Sequence, residues 1–380
     1  MEEWKEVKLG DVCKKIIAGG DASKFNISKN KTSENNIPVY ANAVEADGLY
    51  GYCDKCVIDE PSVTVAARGA GTGFVCYRPI PYVPIVRLIS LIPNEKVVPH
   101  FLYFYLKTKK LDVDGSAIPQ LTVPMIKKES VYLPSIATQQ KIASILSSLD
   151  DKIELNHRIN ENLEQQAQAL FKSWFIDFEP FADGEYVESE LGMIPKGWEV
   201  LQFKDFLEVS SEKALCTEYP EYSVTNNGII PRDEKFKKRL SNITSKNKVL
   251  RKDDLVFGMS REILNWGIMN DSIGGVSSAY LVYHINKEIM SPLFLELFMK
   301  AKAFYFKDLI GTAAREGQCL DKGAMFEKNI YYPPKEWLDN FEHKYEALMN
   351  MRSNNLQEST RLAALRDTLL PKLMSGEIEL

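Results

Sequence analysis

The sequence predicts an α+β fold: two mixed α/β domains, each followed by one long helix with a coiled-coil pattern, arranged as a pseudo-two-fold internal repeat. Three observations carry this. The chain restates its own phrases at a nearly fixed offset. Short β-branched runs separated by Gly, Pro and Asn turns fill two large segments. A segment without glycine, and its counterpart 199 residues further on, place apolar residues at heptad spacing.

The duplication is read from anchors. Trp4-Lys-Glu-Val-Lys-Leu9-Gly-Asp11 returns as Trp198-Glu-Val-Leu-Gln-Phe203-Lys-Asp205. Pro99-His-Phe101-Leu102 returns as Pro292-Leu-Phe294-Leu295, and Gly115-Ser116-Ala117 with Gln120 returns as Gly311-Thr312-Ala313 with Gln318. Val131-Tyr132-Leu-Pro134 returns as Ile330-Tyr331-Tyr-Pro333. The offset drifts only from 193 to 199, so the anchors mark a diverged tandem duplication. A molecule built this way suits a ligand with two similar halves.

At 380 residues the chain exceeds the ~250–300 residues at which single cores stop growing. Apolar content of 45%, with 17 Tyr and 18 Phe, is enough for real cores and argues against disorder. The opening Met-Glu-Glu-Trp-Lys-Glu is no signal peptide. Arg87 interrupts the longest apolar run, so no membrane span is expected. Six unevenly spaced cysteines suit reduced thiols and a cytoplasmic location.

The net charge of −5 is segregated. Residues 1–133 carry +2, 134–185 carry −5, 186–333 carry 0 and 334–380 carry −2. The acid sits in the two short segments, and the two large ones are neutral to slightly basic, which leaves nucleic acid open as a partner. These four segments are the expected domains.

In the first large segment, 1–133, Ile37-Pro-Val-Tyr40 and Ser62-Val-Thr-Val-Ala-Ala67 read as strands, and Pro99 opens a helix. From 134 to about 174 the residues Ile142, Leu146, Leu149, Ile153, Asn156, Asn160, Leu163, Ala167, Leu170 and Trp174 follow 4-3-4-3 steps. The stretch from Phe178 to Trp198, punctuated by Pro and Gly, reads as a connector with packed aromatics. In 186–333, Val249-Leu250 and Leu255-Val-Phe257 read as strands and Pro292 opens the matching helix.

The last segment, 334–380, carries Phe341, Leu348, Asn355, Leu362 and Leu369, which align with Ile142, Leu149, Asn156, Leu163 and Leu170 at a constant offset of 199. These ten are the expected helix-pair core. A polar residue in a heptad core slot costs stability and fixes register, and here the exception itself is duplicated. Arg352 and Arg366 also fall in core-type slots, so the second stripe is less regular. Helices of ~35 residues would run ~50 Å at 1.5 Å per residue, a span of one to two turns of DNA at ~34 Å each.

Four phrases resemble the specificity (S) subunit of type I restriction-modification systems. They are Leu133-Pro-Ser-Ile-Ala-Thr-Gln-Gln-Lys-Ile-Ala-Ser-Ile-Leu146, Asn162-Leu-Glu-Gln-Gln-Ala-Gln-Ala-Leu-Phe-Lys-Ser-Trp-Phe175, Glu190-Leu-Gly-Met-Ile-Pro-Lys-Gly-Trp198 and Leu365-Arg-Asp-Thr-Leu-Leu-Pro-Lys-Leu-Met-Ser-Gly376. The resemblance spans the chain. The second copy departs from it where Pro333-Pro-Lys-Glu-Trp337 replaces the Gln-Gln helix opening.

The resemblance implies that each large segment is a target recognition domain reading one half of a bipartite double-stranded DNA site. It implies that the two helices pair antiparallel as a ruler and dock two methyltransferase (M) subunits, which carry S-adenosylmethionine. It allows for restriction (R) subunits that bring ATP- and Mg-dependent translocation and cleavage. It also implies that the S subunit is not itself an enzyme.

The residues agree. No Gly-x-x-x-x-Gly-Lys-Ser/Thr loop is present, and Gly69-Ala-Gly71-Thr-Gly73 lacks dinucleotide-binding spacing, so no cofactor is expected in this chain. No Asn-Pro-Pro-Tyr-type motif for adenine methylation occurs. Cys53-Asp-Lys-Cys56 is half of a zinc spacing with nothing to complete it, and the four histidines form no i,i+4 pair, so no metal is expected.

The strongest nucleic-acid signal runs from Lys235 to Lys252, eight basic residues in eighteen with no acid: Lys235, Lys237, Lys238, Arg239, Lys246, Lys248, Arg251 and Lys252. Lys24, Lys29 and Lys31 form a weaker counterpart in the first repeat. Arg68 and Arg261 follow a strand in equivalent places, where each could hold a loop or enter a groove. Because the repeats differ most in such loops, the two half-sites are expected to differ. The rival reading is a coiled-coil scaffold with two protein-binding domains, which predicts no salt-dependent DNA binding.

Overall fold

The structure, a computed structural model, describes residues 4–114, 119–214, 219–232, 246–259, 264–309, 321–378 and 380. The chain divides into two compact units, Met1–Asn160 with Asn354–Leu380, and Glu161–Ser353.

In the first unit the strands are β1 (Lys5–Lys8), β2 (Cys13–Ala18), β3 (Ile37–Tyr40), β4 (Leu49–Cys53), β5 (Ser62–Val65), β6 (Val75–Arg78), β7 (Val83–Pro84), β8 (Ile89–Pro93) and β9 (Ser130–Leu133). An antiparallel sheet in the order β2-β8-β5-β6 carries the core. All four residues of β5 are buried: Val63 and Val65 enter the core, while the Ser62 hydroxyl bonds the Tyr82 hydroxyl at 2.8 Å and the Thr64 hydroxyl donates to the Cys76 carbonyl at 3.5 Å. The helix Pro99–Thr108 begins with proline at its first turn, where a missing N–H costs nothing. It buries Phe101, Leu102, Phe104, Tyr105 and Leu106 in the same core as β5 and β8. β1 and β9 form a separate antiparallel ladder, Lys5 opposite Leu133 through Lys8 opposite Ser130.

In the second unit the strands are β10 (Tyr186–Ser189), β11 (Gly192–Pro195), β12 (Glu199–Gln202), β13 (Leu207–Ser210), β14 (Tyr222–Thr225), β15 (Gly228–Pro231), β16 (Lys248–Arg251), β17 (Leu255–Phe257), β18 (Trp266–Ile268), β19 (Ile273–Val276), β20 (Leu281–Ile285) and β21 (Asn329–Tyr332). Its four-stranded sheet runs β13-β20-β17-β18, and β12 pairs with β21. This is the strand order of the first unit again. The duplicated phrases explain it: in each unit the Trp-led phrase and the Tyr-Pro phrase are the two strands of one ladder. The helix Pro292–Ala301 matches Pro99–Thr108, with the Ser291 hydroxyl now accepting from the Phe294 N–H at 3.2 Å.

The expected strands at Ile37–Tyr40 and Leu255–Phe257 are present with the same bounds, and Val249-Leu250 lies inside β16. The strand at Ser62 ends at Val65, because Ala66 turns to bond Phe74 and Gly73. The connector is more ordered than expected. Residues 186–195 form the β10–β11 hairpin, Tyr186 opposite Pro195 and Ser189 opposite Gly192, with Gly192 in the left-handed region at φ +93°. The first unit also adds a β4-β3-β7 sheet whose β3–β7 pairing is parallel, which no local pattern announces.

Arg78 shows how the first unit secures a turn. It is 5% exposed. Its Nε donates to Thr64 Oγ1 at 3.0 Å and its Nη2 to the Asp47 carbonyl at 2.5 Å, while the guanidinium lies 3.6 Å from the Tyr40 ring centroid. Asp47 and its neighbour Ala46 are in left-handed backbone, at φ 52° and 48°. Arg78→Met is expected to lower stability by about 1–2 kcal/mol, because it removes two hydrogen bonds, one of them to the buried Thr64 hydroxyl, and a cation–π contact. A shift in the urea midpoint checks this.

Each of the two long helices, Ile136–Phe175 and Lys335–Met374, holds 40 residues, ~60 Å at 1.5 Å per residue. The start of the second falls directly after the Pro333-Pro334 pair, where the Pro334 carbonyl accepts from the Trp337 N–H at 3.0 Å. Its end is set by Gly376 at φ +74°, whose absent Cβ would lie 3.1 Å from Trp4 Nε1. Gln139 explains the Gln-Gln opening of the first helix. Its amide is 1% exposed, accepts from the Val98 N–H at 2.9 Å and donates to the Lys96 and Pro134 carbonyls at 3.1 and 3.0 Å. Leu338 stands 199 residues later and is buried instead. There Ser291 makes the tie, its hydroxyl bonding Glu342 and its N–H donating to the Tyr332 hydroxyl.

Candidate nucleic-acid interface

In the first unit Lys24, Lys29 and Lys31 are exposed on the segment between β2 and β3. Ser28 ties that segment to β4 by two backbone bonds with Tyr52, both 2.8 Å, and Lys29 Nζ sits 4.8 Å from the Tyr50 ring. Arg68 is exposed on the loop that follows β5.

In the second unit Lys235, Lys237, Lys238, Arg239 and Arg261 lie outside the described residues, as do the repeat anchors Gly115-Ser116-Ala117 and Gly311-Thr312-Ala313 with Gln318. Lys246 and Lys252 are exposed. Arg251 grips Glu212 with two bonds, 3.1 and 2.7 Å. Lys248 turns inward and donates to the Tyr280 carbonyl at 2.6 Å, and burial lowers the pKa of its ammonium. A surface pair such as Arg251–Glu212 contributes little stability and opens readily to phosphate, whereas Lys248 is spent on structure.

The helix-core residues divide by burial. Ile142, Asn156, Leu163 and Phe341 are buried, and Leu149, Leu170, Leu348, Asn355, Leu362 and Leu369 are half-buried. In the first unit Ile142 and Leu146 share a core with Leu373 and Met374, and Arg366 Nη1 donates to Asp150 Oδ1 at 2.7 Å. In the second, Phe171 and Phe175 pack on Phe341, Trp174 packs on Trp337, and Arg352 reaches Glu164 at 3.8 Å. Within each unit the contacts run in opposite order along the two helical segments. The two arginines in core-type slots are thus answered by carboxylates on the facing segment, a pairing the heptad stripe did not reveal.

The paired asparagines are not equivalent in space. Asn156 is fully buried, and its Nδ2 donates to Glu358 Oε2 at 2.8 Å, Ser359 Oγ at 3.3 Å and the Asn355 carbonyl at 3.4 Å. Asn355 instead donates to Asn160 Oδ1 at 3.1 Å. The Asn156 amide also holds the Glu358 carboxyl below its ordinary pKa.

Residues 1–165 match the family model described as the type I restriction modification DNA specificity domain. A putative type I specificity subunit (C-terminus) from Mycoplasma pneumoniae is 41% identical over 114 residues, which cover 30% of this chain and 78% of that one. The chain belongs to the specificity-subunit family of type I restriction-modification systems. The specificity subunit of the MjaIX enzyme of Methanocaldococcus jannaschii is 29% identical to it over 348 residues, covering 86% of this chain and 79% of the other. That of the HindI enzyme of Haemophilus influenzae is 28% identical over 464 aligned positions and covers both chains fully. The fold of this specificity subunit is also that of the S subunit from M. genitalium, with a TM-score of 0.63 at 16% identity and coverage of 98% and 96%.

Among the described residues no group of three His, Cys, Asp or Glu could hold a metal ion. Cys53 is buried and donates to the Lys55 carbonyl at 3.0 Å, while Cys56 is exposed. No helix in the described residues is long and apolar enough to cross a membrane.

Proposed function

We propose that this specificity subunit binds double-stranded DNA at an asymmetric bipartite target and docks two methyltransferase subunits, with restriction subunits as further partners. Residues 1–133 and 186–333 each read one half-site. Residues 134–185 and 334–380 supply an antiparallel coiled coil that sets the distance between the half-sites and carries the acidic surface for protein partners. The chain performs no catalysis and needs no cofactor. S-adenosylmethionine belongs to the methyltransferase subunits, and ATP and Mg to the restriction subunits, all in the cytoplasm.

The observation that carries this reading is the repetition of one strand order in two units, joined to helical segments whose contacts run in opposite directions. Asymmetry of the target is supported by the peripheral sheets. The first unit has the mixed β4-β3-β7 sheet, and the second has the β14–β15 and β16–β19 ladders. Two different frames present different loops to DNA. Phosphate contacts fall to Lys24, Lys29, Lys31, Lys246, Arg251 and Lys252, together with the basic residues 235–239.

The test is to insert one heptad in each long helix, adding ~10 Å at 1.5 Å per residue. The spacer of the methylated site is expected to grow by ~3 base pairs at ~34 Å per turn. An unchanged spacer overturns the ruler role. Absence of salt-dependent DNA binding by the assembled complex overturns DNA recognition in favour of a protein scaffold.

A further inference from the structure

The loop after β5 differs from ordinary surface loops in how completely its backbone is bonded. A single side chain, Asn42, supplies three of these bonds. Its Oδ1 accepts from the Ala67 N–H and, at 3.2 Å, from the Arg68 N–H, and its Nδ2 donates to the Arg68 carbonyl at 2.8 Å. One amide therefore closes on both sides of Arg68.

A second strip of chain completes the grip. Arg68 bridges Gln120, the Leu121 N–H donates to the Ala67 carbonyl at 2.8 Å and the Gly69 N–H to the Pro119 carbonyl at 3.2 Å. Gln120 is itself held by two backbone bonds with Asp114, 2.8 and 3.0 Å. Beyond Arg68 the chain turns back through Gly69 at φ +86° and Gly73 at φ +90°, and the Thr72 hydroxyl donates to the Gly69 and Pro119 carbonyls. Any Cβ at Gly71 would strike Val44, so the Asn42 loop and the Arg68 loop are packed together.

The side chain of Arg68 contrasts with this backbone. It is exposed, and its guanidinium has no hydrogen bond or ion pair among the described residues. Arg78 and Arg366 of the same unit are both spent on internal partners. A phosphate anchor needs no such preparation, because a flexible lysine finds an oxygen from many positions. Reading a base edge does need it: the fork must meet two acceptors at once, and ordering the loop beforehand removes that entropy from binding.

We infer that Arg68 is a specificity-determining residue of the first recognition domain, donating a bidentate pair to the acceptor edge of a guanine in the major groove, and that Asn42 is its positioning residue. This rests on the proposed DNA-recognition function.

The experiment uses the complex of the full chain with its methyltransferase subunits and S-adenosylmethionine, acting on duplexes randomised across the target. The unaltered complex is expected to return a two-part motif. Arg68→Ala is expected to relax one G·C position of one half-site by about tenfold or more, with the other half-site unchanged. Asn42→Ala is expected to relax the same position. Asn42→Asp, which keeps the acceptor, should retain part of the preference, a rescue that mere loss of stability would not produce. An unchanged motif in Arg68→Ala, or methylation lowered equally at every sequence, overturns the assignment. If the unaltered complex returns no motif at all, DNA recognition itself fails, and that outcome is distinct from a motif indifferent to Arg68.

Discussion

Phe341→Ala is expected to cost about 3–5 kcal/mol, the range for truncating a fully enclosed phenylalanine. Its ring is 0% exposed and lies 5.0 Å from Phe175, 5.6 Å from Phe171, 5.9 Å from Tyr345 and 6.3 Å from Trp174, centroid to centroid. The void left behind is walled by rigid aromatics that cannot collapse into it, so both the transfer and cavity contributions are lost, along with edge-to-face contacts of about 0.5–1.5 kcal/mol each. Trp174 and Trp337, whose centroids are 5.6 Å apart in the same cluster, report the transition by fluorescence. Phe304→Ala is the comparison: that ring is 81% exposed, and its loss is expected to stay within about 0.5 kcal/mol. Equal urea midpoints for the two variants would show that the second helix does not bury its stripe at Phe341.

Asn156→Asp is expected to be destabilising by about 2–4 kcal/mol at neutral pH and nearly silent in acid. The amide is completely buried and faces the Glu358 carboxylate, the Ser359 hydroxyl and the Asn355 carbonyl, with Lys152 3.4 Å from Glu358 as the nearby cation. A carboxyl placed there is desolvated and set beside a like charge, and both raise its folded pKa above the unfolded value of about 3.9. A raised folded pKa means the native state keeps a proton that the unfolded state gives up. Stability therefore falls as pH rises from about 4 through the folded pKa and returns on acidification.

The unaltered protein has the opposite sign at the same place. The Asn156 amide depresses the Glu358 carboxyl, so that contribution is present above the ordinary glutamate range and fades as pH falls. Urea midpoints of both proteins at pH 7 and pH 4 separate the cases: the gap should narrow in acid, and a gap that widens or stays constant would rule out the buried placement. Asn156→Leu removes the polar group with no charge and should match or exceed the parent in stability while loosening helix register.

Much of this was legible in the chain because it depends on near neighbours. The strands at Ile37–Tyr40 and Leu255–Phe257, the helices opened by Pro99 and Pro292, and the two long helices follow from side-chain periodicity and from proline's fixed φ, which act over a few residues. The hairpin at 186–195 was masked by its own punctuation: Gly192, Pro195 and Gly197 read as a connector, although Gly192 is what the turn requires. The parallel β3–β7 pairing joins residues more than forty positions apart, and no local rule encodes it.

For the candidate site the division is the same. Residue type marked the lysines of the first repeat as a basic cluster and left Arg68 either to hold a loop or to enter a groove; nothing in the sequence announced Asn42, because its role exists only once two loops separated by β4 and β5 pack together. Nor did it show that Lys248, one basic residue among eight, would turn inward to Tyr280.

By itself the sequence determined the duplication, the helical stripes and the matched polar slots at Asn156 and Asn355, since each is a pattern along one dimension. Tertiary structure alone decided how that equality breaks, Asn156 buried against Glu358 and Ser359 while Asn355 turns to Asn160, and which carboxylates answer Arg352 and Arg366. Equal positions in a repeat become unequal in space because a hydrogen bond has a donor end and an acceptor end, and the partners that choose between them come from distant parts of the chain.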